Sequence, residues 1–192
     1  MDHGWFASAA RRSLASAAVF LSLFLLANPA NGQYFGQNKV QYEKLDFKVL
    51  KTTHFDIYYY PEEAKPAQDV AKMAERWYAR LSRVLGFELH GRQPVVLYAS
   101  HPQFSQTNVV EGFIEEGVGG VTEGQMRRVT LPLAATLGET DHVLGHELVH
   151  AFQYDILGMN GESLPLWFIE GMAEYLSIGP VDAQTAMWLR DA

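Results

Sequence analysis

The stretch HELVHAFQYD, from His146 to Asp155, determines how the rest of this sequence is interpreted. His146 and His150 are four residues apart, and on a helix such residues lie on one face with their Cβ atoms about 5–6 Å apart. Two imidazole nitrogens at this spacing can bind one metal ion. Glu147 points roughly 100° away around the helix, so its carboxylate could reach a water molecule on that ion without binding the ion itself.

The alternative is a helix that carries two unrelated histidines, because chance produces this five-residue spacing in roughly 2% of chains of similar composition. A second register also exists, since His142 lies four residues before His146. His142 and His150 are about 12 Å apart along a helix axis, so the three histidines cannot all bind one ion. The earlier pair has Val143 where the acid would be, and we interpret His142 as a solvated residue or as a neighbour of a ligand.

A third ligand is expected on a second helix, in the stretch SLPLWFIEGMAEYLSIGPV, Ser163–Val181. A third histidine further along the first helix is excluded, because Gln153 and Ile156 occupy the positions of the glycine and histidine in the extended motif. The second stretch has only two charged residues, Glu170 and Glu174, among apolar ones. This pattern predicts a buried helix, in which two carboxylates would need a cation. The alternative is that they cap backbone groups or pair with a distant arginine.

Hydrophobic periodicity and turn residues predict the remaining elements. Residues 47–52 and 54–60 are predicted to form a strand pair or one bent strand. Further strands are predicted over 94–100 and 127–133, and helices over 66–85, 136–157 and 165–178, with another helix beginning near Asp182. Five glycines between Glu111 and Gly124 predict either a mobile lid or a plain set of turns. The strand at 127–133 is either an edge strand that binds an extended substrate or an interior strand. Gly171 is expected to allow close approach of the two helices.

The N-terminal residues 1–32 are typical of a secretory signal peptide. Arg11 and Arg12 precede the short apolar run Val19–Ala27, and the small residues Ala30 and Gly32 suit the −3 and −1 positions of a site cleaved after Gly32. The run is about half the length that a membrane span requires. We therefore expect an exported protein, periplasmic or extracellular, that is not inserted in the membrane after cleavage.

The remaining residues, 33–192, are predicted to form one domain. Cleavage would remove two arginines and one aspartate, which changes the formal charge from −7 to −8 and argues against nucleic acid as a partner. The absence of cysteine excludes disulfides and thiolate zinc sites. The helical pattern continues to Ala192 without a stop signal, so we expect either a piece of a longer protein, which we favour, or a small domain with a frayed end.

Together, His146-Glu147-x-x-His150 and Glu170 in WFIEGMAEY resemble the gluzincin metallopeptidases. The resemblance is nearest to the peptidase MA-like branch, whose second motif reads E-G-x-A-E-Y, and it covers about 53–178. It implies an α+β, zincin-like fold, in which a twisted mixed β-sheet packs on an active-site helix and a second helix carries the third zinc ligand. It also implies an attached C-terminal TolB-like β-propeller, which this sequence does not contain.

The same resemblance implies a zinc-dependent metallopeptidase. His146, His150 and Glu170 would bind Zn²⁺, Glu147 would be the general base, and Glu174 would hydrogen-bond a ligand histidine. The alternative is a non-catalytic, zinc-stabilised envelope domain that binds cell-wall or protein partners. Members of the family also use a tyrosine or histidine to stabilise the tetrahedral intermediate, and this sequence does not identify that residue.

Overall fold

A computed structural model describes residues 44–109, 114–115, 117–158 and 164–179, all within one compact unit that spans Phe35–Ala192. The described residues form five strands, four α-helices and one turn of 3-10 helix, Pro61–Glu63. The strands are β1 (Lys48–Lys51), β2 (Phe55–Tyr59), β3 (Gln93–Tyr98), β4 (Val121–Glu123) and β5 (Arg128–Pro132); the helices are α1 (Ala64–Leu85), α2 (His101–Phe104), α3 (Leu137–Leu157) and α4 (Leu166–Ser177). The predicted signal peptide and the helix predicted near Asp182 lie outside the described residues.

The strands form one mixed sheet in the order β1-β2-β3-β5-β4. The three central strands, β2, β3 and β5, are parallel to one another, and the strands at the two ends are antiparallel to their neighbours. Because parallel neighbours need a crossover connection, α1 joins β2 to β3 and buries Val70, Ala74 and Leu81 in the core. The α+β class and the mixed sheet are confirmed, and no described helix is long and apolar enough to span a membrane.

The structure corrects two predictions about strands. The strand predicted at 127–133 is interior, since β5 lies between β3 and β4, so the edge-strand alternative for it is wrong. The glycine-rich stretch is neither wholly a lid nor wholly turns, because Val121–Glu123 pairs with β5 as the edge strand β4. The prediction missed β4 because three residues flanked by glycines carry too little periodicity to stand out.

The helix α3 begins and packs as its sequence dictates. Thr136 and Glu139 form the predicted capping box, and Gly158 follows the last helical residue. Near its middle, Gly145 lies against the indole of Trp77 on α1, where a Cβ atom would be 2.6 Å from the ring. The Trp77 indole nitrogen donates a 2.8 Å hydrogen bond to Asp141 on α3. Helices α1 and α3 therefore approach each other closely at Gly145.

The prediction that α4 is buried is wrong for its described residues. Only Ala173 and Leu176 are buried, whereas Trp167 is 75% exposed and Leu166, Phe168 and Tyr175 are exposed too. Ala173 and Leu176 belong to the hydrophobic core, and Met172 packs against it. The role expected of Gly171 is also wrong, because a Cβ atom there would meet nothing within 4 Å.

Candidate metal centre

Three side chains predicted as ligands come together between α3 and α4. The Nε2 atoms of His146 and His150 are 3.1 Å apart. The Oε2 atom of Glu170 lies 3.3 Å from the first nitrogen and 3.4 Å from the second. The three potential donor atoms thus form a nearly equilateral triangle, although 24 residues separate His146 from Glu170.

This triangle has the size that a zinc site requires. Tetrahedral coordination at about 2.0–2.1 Å places neighbouring donor atoms about 3.3–3.4 Å apart, which matches the two distances to Glu170 and is slightly longer than the 3.1 Å between the histidine nitrogens. Two imidazoles and a carboxylate are donors that zinc accepts, and three protein ligands leave a fourth position open, as catalytic zinc sites do. The residues present therefore fit a zinc ion in both chemistry and spacing.

Glu170 and Glu174 are not buried, contrary to the expectation from the apolar sequence around them. The side chain of Glu170 is 48% exposed, and that of Glu174 is 43% exposed. Exposed carboxylates need no cation to compensate for lost hydration, so apolar surroundings alone do not imply a metal here. The convergence of the three donor atoms is the observation that supports a metal site.

Each candidate ligand histidine has a hydrogen-bond partner at its other ring nitrogen. His146 Nδ1 lies 3.1 Å from Glu174 Oε2, and His150 Nδ1 lies 2.7 Å from Gln153 Oε1. Such partners hold the proton on Nδ1 and orient Nε2 for coordination. The structure thus places Glu174 where the resemblance implied, and it adds Gln153.

His142 does not join the three ligands. Its Nε2 lies 3.2 Å from Glu174 Oε2, the same oxygen that faces His146 Nδ1. His142, His146 and Glu174 therefore form a second cluster of potential ligand atoms. Hydrogen bonding accounts for this cluster, because one carboxylate oxygen can accept a hydrogen bond from an N–H group of each imidazole. Of the two interpretations of His142, the neighbour of a ligand matches the structure.

Glu147 lies beneath the edge strand β4, and only 6% of it is exposed. The Thr122 hydroxyl donates a 2.6 Å hydrogen bond to Glu147 Oε2. A Cβ atom at Gly120 would lie 2.8 Å from Glu147 Cγ, so a glycine is needed where the chain enters β4. Burial raises the pKa of the Glu147 carboxyl, while the Thr122 hydrogen bond and nearby His150 partly offset that rise.

A cleft of about 840 Å³ opens over these residues. The glycine-rich stretch and β4 form one wall, while α3 and α4 form the others. Apolar side chains line much of it: Val118, Val121, Val143, Leu157, Leu164, Leu166 and Ile169. No lysine or arginine is among the described residues that line it, and its acidic side chains are Glu147 and Glu170. The cleft can therefore hold an extended, largely uncharged chain beside the three donor atoms.

Sequence reasoning missed two residues at this site. Gln153 entered only as a departure from the extended histidine motif, although its position three residues after His150 placed it on the same helix face. Thr122 gave no signal, because only the tertiary fold brings β4 over Glu147. The residue that would stabilise a tetrahedral intermediate stays unassigned among the described residues.

Residues 126–191 match the family model BSP, described as "Peptidase of plants and bacteria". The match covers about a third of the chain, and it contains β5, α3, α4 and all three candidate ligands. Neither the curated proteins nor the solved structures contain a significant match to this chain. The family match indicates a peptidase, which would act on peptide or protein substrates, and it leaves the catalytic type open.

Proposed function

We propose that this protein is a zinc-dependent peptidase whose metal is held by His146, His150 and Glu170. The triangle of donor atoms, with sides of 3.1–3.4 Å, is the observation that carries the proposal. A peptidase family match over the same two helices supports it independently. An intact Glu147, which lines the same cleft as the three candidate ligands, favours a catalytic role, since a purely structural zinc site needs no base and usually has four protein ligands.

Each residue then has a defined role in peptide hydrolysis. A bound zinc ion would polarise the scissile carbonyl and lower the pKa of a water molecule. Glu147 accepts the proton of the attacking water and afterwards delivers it to the leaving amine. Its low exposure and raised pKa suit a group that must hold a proton between two steps. Glu174 and Gln153 keep the ligand imidazoles in the required tautomer.

The substrate binds in the cleft as an extended chain. The strand β4 is at one edge of the described sheet and next to Glu147, so a peptide could add to it by main-chain pairing. The apolar lining favours uncharged or apolar side chains near the cleaved bond. The absence of lysine and arginine from the described lining argues against selection for acidic residues or for a terminal carboxylate.

Substitution of Glu147 by glutamine tests the proposal. The zinc-loaded full chain should hydrolyse an unfolded casein-like substrate, a chelator should abolish this, and added zinc should restore it. Glu147→Gln should bind zinc normally but lose at least about 10²-fold in kcat, the contribution typical of a general base. The exposed Glu62, converted to glutamine, is the matched control and should behave as the wild type.

Two outcomes would overturn the proposal. Hydrolysis that survives Glu147→Gln would show that the carboxylate is not the base. Zinc binding at one ion per chain without any hydrolysis would favour the non-catalytic, zinc-stabilised domain instead. Export is a separate proposal, and it predicts that the secreted protein begins at Gln33 when its N-terminus is sequenced.

A further inference from the structure

The buried side chain of Gln153 contacts one candidate ligand, His150, and the backbone next to another, Glu170. Only 4% of this residue is exposed. Its Oε1 atom lies 2.7 Å from His150 Nδ1 on the same helix, and its Nε2 atom donates a 2.9 Å hydrogen bond to the backbone carbonyl of Ile169 on α4. Ile169 immediately precedes Glu170, so the amide spans the two elements that carry the ligands.

The carbonyl of Ile169 fixes which way the amide points. A carbonyl oxygen only accepts hydrogen bonds, so the NH₂ group of Gln153 must face it and the amide oxygen must face His150. An amide oxygen can only accept as well, so the proton of the neutral imidazole must be on Nδ1. The lone pair of His150 is then on Nε2, the atom that faces His146 and Glu170.

The same amide also fixes the position of Glu170 relative to the histidines. The backbone around Ile169 is tied to α3 by the hydrogen bond from Gln153, and this tie lies one residue before the ligand carboxylate. A displacement of about 1 Å would spoil coordination distances that zinc tolerates only within about 0.2 Å. Glutamine suits this position because it offers one acceptor and one donor on a single planar group.

We propose that Gln153 is a positioning residue for the metal centre: it sets the tautomer of His150 and holds α4 at the distance that brings Glu170 to the histidines. This inference rests on the proposed function for the identity of the metal, but it concerns metal binding and not hydrolysis. The experiment on Gln153 can therefore fail while the peptidase proposal stands.

Zinc affinity of the full chain, measured by competition with a chromophoric chelator, tests the proposal. Gln153→Leu removes both hydrogen bonds and should weaken zinc binding about 10–100-fold, the effect typical of lost partners of ligand histidines. Gln153→Glu keeps an acceptor for His150 but has no donor for the Ile169 carbonyl, so it should fall between the wild type and Gln153→Leu.

Gln93→Leu is the matched control. Gln93 is equally buried, and its amide also donates to backbone carbonyls, those of Pro94 and Arg127. The control should lose a similar amount of thermal stability while its zinc affinity stays within about twofold of the wild type. Equal zinc affinity in the wild type and Gln153→Leu, or equal losses in both leucine variants, would overturn the proposal.

A second measurement needs no substitution. The ¹⁵N chemical shifts of the imidazole in the metal-free wild type should show the neutral His150 ring protonated at Nδ1. A ring protonated mainly at Nε2 would overturn the proposal even if a Gln153 variant failed to fold. Zinc binding with the expected loss in Gln153→Leu but without hydrolysis would support this role and refute the peptidase proposal. A wild type that binds no zinc would refute both.

Discussion

Thr122 of β4 donates a 2.6 Å hydrogen bond to the carboxylate of Glu147 on α3, across 25 residues of sequence. The same hydroxyl oxygen is 2.9 Å from the backbone carbonyl of Glu147. These contacts join the edge strand β4 to α3 at Glu147, the candidate base. The neighbouring Gly120 allows this contact, since a larger residue would collide with Glu147.

We expect Thr122→Val to lower kcat about 10-fold while leaving KM and zinc content near their wild-type values. Valine keeps the shape of threonine but removes the donor, so the carboxylate loses the group that orients it. Thr122→Ser keeps the hydroxyl and should restore most of kcat. Steady-state kinetics on a peptide substrate measure both variants. Equal losses in the serine and valine variants would point to packing instead of the hydrogen bond.

Glu174→Ala should weaken zinc binding about 10–100-fold, because His146 loses the partner that orients its ring. His142→Gln is the informative comparison. If His142 only shares the Glu174 oxygen, its loss should change zinc affinity far less and leave the stoichiometry at one ion per chain. Chelator competition measures the zinc affinity, and metal analysis measures the number of zinc ions per chain. A second bound zinc in the wild type that disappears in His142→Gln would show that His142 is a ligand.

Gly145 and Gly171 should respond in opposite directions to alanine. A Cβ atom at position 145 would lie 2.6 Å from the Trp77 ring, so Gly145→Ala should destabilise the fold by about 1–3 kcal/mol through overpacking. A Cβ atom at position 171 meets nothing within 4 Å, so Gly171→Ala should stabilise it by about 0.5–1 kcal/mol. Urea unfolding measures both, and destabilisation by Gly171→Ala would contradict the exposed position of this residue.

The stability contributed by Glu75 should depend on pH. Burial alone would raise the pKa of this carboxyl, but hydrogen bonds from Thr52 and His54 outweigh it and lower the pKa below the usual 4.5. A carboxyl with a lowered pKa in the folded state stabilises the protein above pH 4.5, and it loses that contribution as the pH falls through the folded value. Glu75→Gln should therefore be less stable than the wild type at pH 7, with a difference that narrows below pH 4.5. Unfolding curves at several pH values measure this, and a constant difference would exclude the effect.

The sequence predicted those parts of the site that lie on regular helices. Four-residue spacing placed His146 and His150 on one face, and the capping residue Thr136 marked the start of α3 correctly. The other features of the site depend on the tertiary fold. Nothing local distinguishes Thr122 from other strand threonines, and the burial of Glu147 depends on a three-residue strand whose glycine-rich flanks hide its periodicity.

The error about α4 has a specific physical cause. An apolar sequence all round a helix predicts burial, but the prediction assumes that neighbours cover every face. In the structure α3 covers the stripe that contains Ala173 and Leu176, while Trp167 and Tyr175 stay exposed. Composition therefore pointed to the helix whose Glu170 converges with the two histidines, but through an expectation of burial that the structure does not support.

If zinc binds as proposed, the position of the candidate ligands on two helices would make the packing of α4 on α3 sensitive to zinc concentration. His150 and Glu170 are 20 residues apart, so an ion that joins them closes a short loop at small entropic cost. At a free zinc concentration of 100 times Kd, zinc binding would stabilise the arrangement in which α4 packs on α3 by about 2.7 kcal/mol. Amide hydrogen exchange in α4 should slow with added zinc, whereas exchange in β2 and β3 should barely change. Helix α4 would then be a locally unfolding unit, ordered on α3 where zinc is abundant and released where it is scarce.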